Sequence, residues 1–206
     1  MAQPQYAERV FINIPFDPKY KGILEAIVFA LIDCGFRPLC ALEHIDSGDI
    51  RIEKICRLIE SSQFGIHDIS CTKLDANNHL PRFNMPFELG IFLGAKRFGD
   101  RRQQNKKCLV LDSQRHRYQK FLSDIAGQDV AAHGHNARTS IKVVRDWLSC
   151  NTRSRALPGP DNIWKQFRLL QAALPKMCRA VKMNYRKITY RDYVLLVCKW
   201  LKKAAP

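Results

Sequence analysis

Four short apolar runs, each separated from the next by a stretch with helical spacing, constrain this chain more than any other feature. Residues 9–14, 36–42, 64–69 and 108–111 read as strands, rich in Val, Ile, Leu and Phe and bounded by turn residues. Between the first two, Ile23, Leu24, Ile27, Val28 and Leu31 recur at helical intervals over residues 20–34, with Gly35 as the stop. Ile52, Ile55, Cys56 and Ile59 place a second amphipathic helix before the third strand. A third helix is expected to start near Asn84 and Pro86 and to end near Gly99. Strand and helix in strict alternation predict an α/β domain with a mainly parallel sheet of four to five strands and right-handed crossovers.

The remainder reads as mainly helical. A short helix is expected over 118–126, an edge strand over 129–132, and a helix from a Thr139 cap to Cys150 with Ile141, Val144 and Leu148 inward. Leu157-Pro158-Gly159-Pro160 is the clearest linker. Beyond it lie an amphipathic segment over 161–181, interrupted at Pro175, and a last helix over 190–203. Thr189 with Asp192 three residues on forms a capping-box-like start to that helix. The expected organisation is an α/β domain over 9–150 and a basic helical extension over 161–204 packed on it.

Composition narrows the classes. The longest apolar run, 26–32, is far short of a bilayer span, so no membrane association is expected. Residues 1–8 lack the charged-then-apolar build of a signal peptide, which leaves a cytoplasmic protein as the expectation. The eight cysteines contain no C-x-x-C and read as reduced, buried small hydrophobes. Charge is unevenly placed: residues 1–100 hold 11 Lys+Arg against 13 Asp+Glu, and residues 101–206 hold 23 against 6. The C-terminal half either meets an anionic partner or is a solvated basic face.

In an open parallel sheet, ligands bind outside the carboxyl ends of the strands. Asn13 to Asp17, Glu43 to Asp49, Asp68 to Ser70, and Asp112 stand at those ends. Glu88, alone in a nearly uncharged segment at a helix start, should face the same rim. A carboxylate there can attack an anomeric carbon or stabilise an oxocarbenium ion, and Asp68 can protonate a departing base. On the alternative reading, Glu88 complements the helix dipole and Asp68 caps a turn.

Phe87-Glu88-Leu89-Gly90-Ile91-Phe92, between the third and fourth strands, resembles the nucleophile helix of the nucleoside 2-deoxyribosyltransferases. Phe11-Ile12-Asn13-Ile14-Pro15-Phe16-Asp17 resembles the opening of the related TIR-like NAD-cleaving domains. The resemblance covers residues 9–112 and extends towards 150. It implies a flavodoxin-like three-layer fold, Glu88 as nucleophile and Asp68 near the base, with Asn13, Phe16 and Asp17 lining the pocket. Arg82 stands where deoxyribosyltransferases carry an acidic residue, and Asn84 where TIR enzymes often have Trp, so base release from a nucleoside, nucleotide or NAD is expected ahead of deoxyribosyl transfer. NAD enters as a substrate; no cofactor is expected. Homo-oligomers are expected too, because these families often complete their sites across subunits. The rival expectation is a non-catalytic nucleotide-binding or protein- or nucleic-acid-docking module, with a role in stress or antiviral defence.

Arg51 and Arg82 can hold phosphates by bidentate contacts, or can be ordinary surface arginines. Gly90 and Gly94, four apart, suggest close helix packing. His133-Gly134-His135 offers two metal ligands without a third at helical spacing, and Cys71 with His67 a weak nucleophile pair. In the tail, Lys182, Tyr185, Arg186, Lys187, Tyr190, Arg191 and Tyr193 interleave cations with aromatics, which suits either strand binding or tyrosines packed on the domain.

Overall fold

The strand signals all become strands of one sheet. The computed structural model describes residues 5–43, 46, 48–72, 82–152 and 156–204. Strands β1 (Arg9–Asn13), β2 (Arg37–Leu39), β3 (Phe64–Asp68), β4 (Lys107–Asp112) and β5 (Val130–Ala132) form a five-stranded sheet in the order β2-β1-β3-β4-β5, with every pairing parallel. That is the flavodoxin-like order, with its switch point where β1 meets β3.

Helices α1 (Lys21–Asp33), α2 (Arg51–Glu60), α3 (Asn84–Phe98), α4 (Arg101–Gln104) and α5 (Ala137–Asn151) cover the sheet. On one face Val10, Ile12, Ile66, Leu109 and Leu111 pack with α1 and with Ile141, Val144 and Leu148 of α5. On the other, Phe11 meets Ile55 and Ile59 of α2 and Phe92 of α3. Successive strand residues thus serve opposite layers, as a pleated strand requires. Gly35, at φ +78°, ends α1: its N–H donates to Ile32 and the Phe36 N–H to Leu31, so a left-handed residue satisfies the last carbonyls.

Helices α6 (Pro160–Ala180) and α7 (Tyr190–Ala204) add a further layer outside α1. Ile163, Phe167, Leu170, Leu174 and Cys178, spaced for one helical face, join Tyr190, Tyr193, Leu196 and Val197 in the core that α1 organises. The Tyr193 hydroxyl donates to the Glu25 carbonyl at 2.9 Å. The Thr189–Asp192 start is a reciprocal cap: the Asp192 N–H donates to Thr189 Oγ1 at 3.1 Å, and the Thr189 N–H to Asp192 Oδ2 at 2.9 Å.

Five local expectations differ. Helix α6 runs through Pro175, because burial of the face on either side outweighs one missing donor. The 118–126 helix is two single 3-10 turns, Arg117–Lys120 and Ser123–Ile125. Asn136, not Thr139, caps α5, accepting the Thr139 N–H at 3.1 Å. Asn84 is the first residue inside α3 rather than its cap; Phe83 holds the cap position and offers no side-chain bond. Of the eight free cysteines only Cys34, Cys40 and Cys178 are buried, and Cys56 and Cys150 are exposed.

The glycines of α3 and β3 exchange the roles that spacing suggested. A Cβ on Gly90 or Gly94 meets no atom within 4 Å, so neither supports close packing. A Cβ on Gly65 would lie 2.5 Å from the Phe92 ring and 2.9 Å from His67 Nε2. The bare backbone of β3 is what lets Phe92 seat α3 on the sheet. Gly65→Ala should therefore cost about 1–3 kcal/mol in urea unfolding. Gly94→Ala should add about 0.5–1 kcal/mol by restricting the unfolded chain and favouring the helix.

Candidate active site at the switch point

A cleft of about 300 Å³ opens at the carboxyl end of β1, where it diverges from β3. Of the eight sequence-predicted site residues, Asn13, Phe16, Arg51, Arg82, Asn84 and Glu88 line it, together with Ala41 and Met85. Three connections bring them together: the end of β1 supplies Asn13 and Phe16, the start of α2 supplies Arg51, and the start of α3 supplies Asn84 and Glu88.

Asn13 fixes the geometry. It is 3 % exposed, and its Nδ2 donates to the Met85 carbonyl at 2.8 Å and pairs with His67 Nδ1 at 3.1 Å. Both amide hydrogens are committed, one to the first turn of α3 and one to β3. The contact makes His67 Nδ1 an acceptor and leaves the proton on Nε2. Burial, and secondarily the Lys106 ammonium, push His67 down to about 3, so it is a neutral strut. Its ring sits edge-on to Phe92 at 4.9 Å between centroids. The pair of Cys71 with His67 has no support in this arrangement, since His67 is wholly enclosed. Lys106 is itself a structural group, donating to the Ile59 carbonyl at 2.6 Å and to that of Ser62, at the end of α2.

Glu88 lies on the second turn of α3 and is 7 % exposed. Among the described residues no hydrogen bond or close ion pair reaches its carboxylate. Burial raises its pKa to about 7, while the Arg51 guanidinium pulls the other way. A carboxylate poised there is half ionised near neutrality, which suits a nucleophile or an acid–base group. The two arginines make the rim cationic; Arg82 lies 3.8 Å from the Asp17 carboxylate, so Asp17 borders the cleft through Arg82 without lining it.

Asp68 is not among the residues that line the cleft. It is fully buried in a polar cluster under the ends of β3 and β4. Its Oδ1 accepts the Ser70 N–H at 2.9 Å, and its Oδ2 accepts from the Tyr20 hydroxyl and lies 3.1 Å from His133 Nε2. Burial, then the Asp68 charge, push the Tyr20 phenol far up, so it remains a donor. His133 Nδ1 accepts the His135 N–H at 3.0 Å, which places its proton on Nε2. His133 therefore donates into the cluster and cannot take a proton from Ser70, although Ser70 Oγ is 2.9 Å away. The same bond turns His133 away from metal binding, and no metal-binding group of three His, Cys, Asp or Glu forms among the described residues. Beside this cluster, Arg117 holds Asp112 Oδ1 at 2.6 Å and donates to the Ile69 and Ser70 carbonyls at 2.9 Å.

Sequence reasoning missed Tyr20, His133 and Arg117. The first read as the start of a helix, the second as one of two metal ligands, and the third carried no signal beyond the basic balance of the C-terminal half. Residues 73–81, most of the polar loop over residues 71–82, which by its length could form a lid, lie outside the described residues, as do residues 44, 45 and 47 of the loop after β2. A larger hollow of about 880 Å³ lies between α3 and the β4–β5 edge, but among the described residues the acid lining it is the exposed Asp129, whereas the smaller cleft holds the buried Glu88.

Compared with models of protein families, with curated proteins and with solved structures, the chain matches none. No helix among the described residues is long and apolar enough to cross a membrane.

The buried carboxylate has a thermodynamic signature. Glu88 holds its proton more tightly folded than unfolded, so its contribution to stability is present below about 4.5 and lost as pH rises through about 7. Glu88→Gln removes the buried charge. The variant should be more stable than the wild type by on the order of 2–3 kcal/mol at pH 8, with the difference shrinking as pH falls from 7 towards 4.5. Thermal unfolding of both proteins across that range measures it.

Proposed function

We propose that the switch-point cleft is the active site of an N-glycosidase-like enzyme, which cleaves the bond between base and sugar in a nucleoside, nucleotide or NAD with Glu88 as nucleophile. The observation that carries this reading is the Glu88 carboxylate: buried, pushed up to about 7 by that burial, and the one acid among the described residues that line a cleft rimmed by arginines. The likeness of Phe87-Glu88-Leu89-Gly90 to the nucleophile helix of the deoxyribosyltransferases supports it.

The chemistry follows from the site. A Glu88 oxygen forms a bond to the anomeric carbon as the carbon–nitrogen bond breaks, its electron pair leaving with the base; the base of a nucleoside or nucleotide takes up a proton, whereas the cationic base of NAD departs neutral without one. Water then attacks the anomeric carbon of the glycosyl ester, returning free Glu88 and the sugar; a second base in place of water would give transfer. The enclosure that raises the Glu88 pKa also strengthens its attraction for the cationic sugar of the transition state. Arg51 and Arg82 offer fork-shaped donors to a phosphate or to sugar hydroxyls. Asn13, its two N–H groups already committed, presents its Oδ1 as an acceptor for a hydroxyl. Asp68, shielded by Tyr20 and His133, holds the rim together, and the proton for the departing base comes from solvent.

The rival reading is a nucleotide-binding module without turnover, to which the two arginines are equally suited. Incubation with NAD, nucleosides and nucleotides, followed by chromatography of released base, separates them. Release should rise with pH through about 7 as Glu88 ionises, and Glu88→Gln should lower it by a factor on the order of 10³ or more. Release that Glu88→Gln leaves unchanged overturns the nucleophile assignment, and no release from any substrate favours the binding module.

A further inference from the structure

Phe16 borders more than the cleft. That ring, 37 % exposed, also walls a second hollow of about 310 Å³ between the start of α1 and the start of α7, lined by Lys21, Glu25 and Arg186 among others. Arg186 in turn borders a third, shallower hollow of about 640 Å³ at the turn between α6 and α7, where Arg179 and Lys182 join it and no acid is among the described residues lining it. The three hollows form a series, each sharing one residue with the next.

Cations mark every stage of it: Arg51 and Arg82 in the cleft, Lys21 in the second hollow, and Arg186, Arg179 and Lys182 beyond. Besides Glu88, the described residues lining the hollows include two acids, Asp17 at 3.8 Å from Arg82 and Glu25 at 3.7 Å from Lys21, so Arg82 and Lys21 offset them and the net positive charge rests on Arg51, Arg186, Arg179 and Lys182. Of the aromatics interleaved with the cations in the tail, Tyr190 and Tyr193 are buried in the core and the ring of Tyr185 lies under Lys21 at 5.3 Å, whereas Arg179, Lys182 and Arg186 are exposed. Phe16 is the one large ring left open at a junction between hollows.

We propose that the ligand of this series is a single-stranded polynucleotide, its phosphates tracked by the C-terminal helices and one nucleotide delivered past Phe16 to Glu88. This rests on the assignment of the cleft as the active site, and it gives the basic extension a function: it turns an enzyme for free nucleotides into one for a residue within a strand. A cleft of about 300 Å³ is at the lower end of single-ligand pockets, roughly 300–1,000 Å³, so one nucleotide leaves the other hollows for further phosphates. Repeated cations with one exposed ring, Phe16, among the described residues that line the hollows predict binding dominated by phosphates, steep in salt and tolerant of sequence.

The test is fluorescence anisotropy of the full chain, carrying Glu88→Gln to prevent turnover, with a fluorescein-labelled 12-mer of thymidylate. Each phosphate contact should contribute about 0.7 to the slope of log affinity against log salt. Lys182→Ala and Arg186→Ala should each reduce the slope by about 0.7, and so should Arg51→Ala, because one strand runs from the turn to the cleft. Phe16→Ala should weaken binding about tenfold by removing a stacking surface. Thymidine monophosphate or NAD displacing the 12-mer as effectively as unlabelled 12-mer overturns the proposal. So does an affinity that Lys182→Ala and Arg186→Ala leave unchanged. Base release by the wild-type chain from free nucleotides without 12-mer binding refutes the track and leaves Glu88 as nucleophile. Binding with the expected slopes but no base release by the wild-type chain from nucleotide or 12-mer refutes both the nucleophile and the delivery of a substrate.

Discussion

The site depends on one side-chain amide. Asn13 ties the first turn of α3 to the end of β1 through the Met85 carbonyl, and ties β1 to β3 through His67. Parallel strands that part at a switch point leave a crevice, and something must fix how far the next helix stands from it. Asn13 does so above, and Phe92 against the bare backbone of Gly65 does so below. Glu88 lies between these two attachments in the sequence of α3. Its burial is thus imposed by how the helix is docked, and its raised pKa follows from burial. A carboxylate held this way is costly for stability and useful for chemistry, a combination that marks functional sites more often than structural ones.

Much of this was legible in the sequence. Alternating apolar runs and helical periods define the parallel sheet, and the position of Glu88 at a helix start after the third strand places it at the carboxyl rim. Asn13, Phe16, Arg51, Arg82 and Asn84 could be picked because strand ends and helix starts are short, polar and few. The fate of Asp68 was not legible. A strand-end aspartate looks the same in sequence whether it faces a ligand or is enclosed, and its partners Tyr20 and His133 are distant in the chain and signal other roles locally. Gly65 was equally hidden, because its importance lies in the ring of Phe92 on another element. Gly90 and Gly94 matched a packing pattern, yet the helix turns them towards open space.

The C-terminal helices keep their tyrosines and their cations apart. Their tyrosines pack in the core that α1 organises, while cations remain outside and line hollows that share Arg186 with one another and Phe16 with the cleft. Periodicity separates these two roles only when the partner surface is known: Tyr190 and Tyr193 fall on the face that meets α1, and Lys182 and Arg186 lie in the turn that does not. On the proposed strand track, fold and charge asymmetry have one explanation, an α/β domain whose outer layer both completes the core and lengthens the ligand site.

The central claim is that docking of α3 poises Glu88 near neutrality. Carbon-13 NMR titration of protein labelled at its six glutamate side-chain carboxyls measures this directly, with the Glu88 resonance assigned by its loss in Glu88→Gln. A midpoint near 7 is the result expected from the burial of the carboxylate. A midpoint near 4.5, the value of a solvated glutamate, would contradict it.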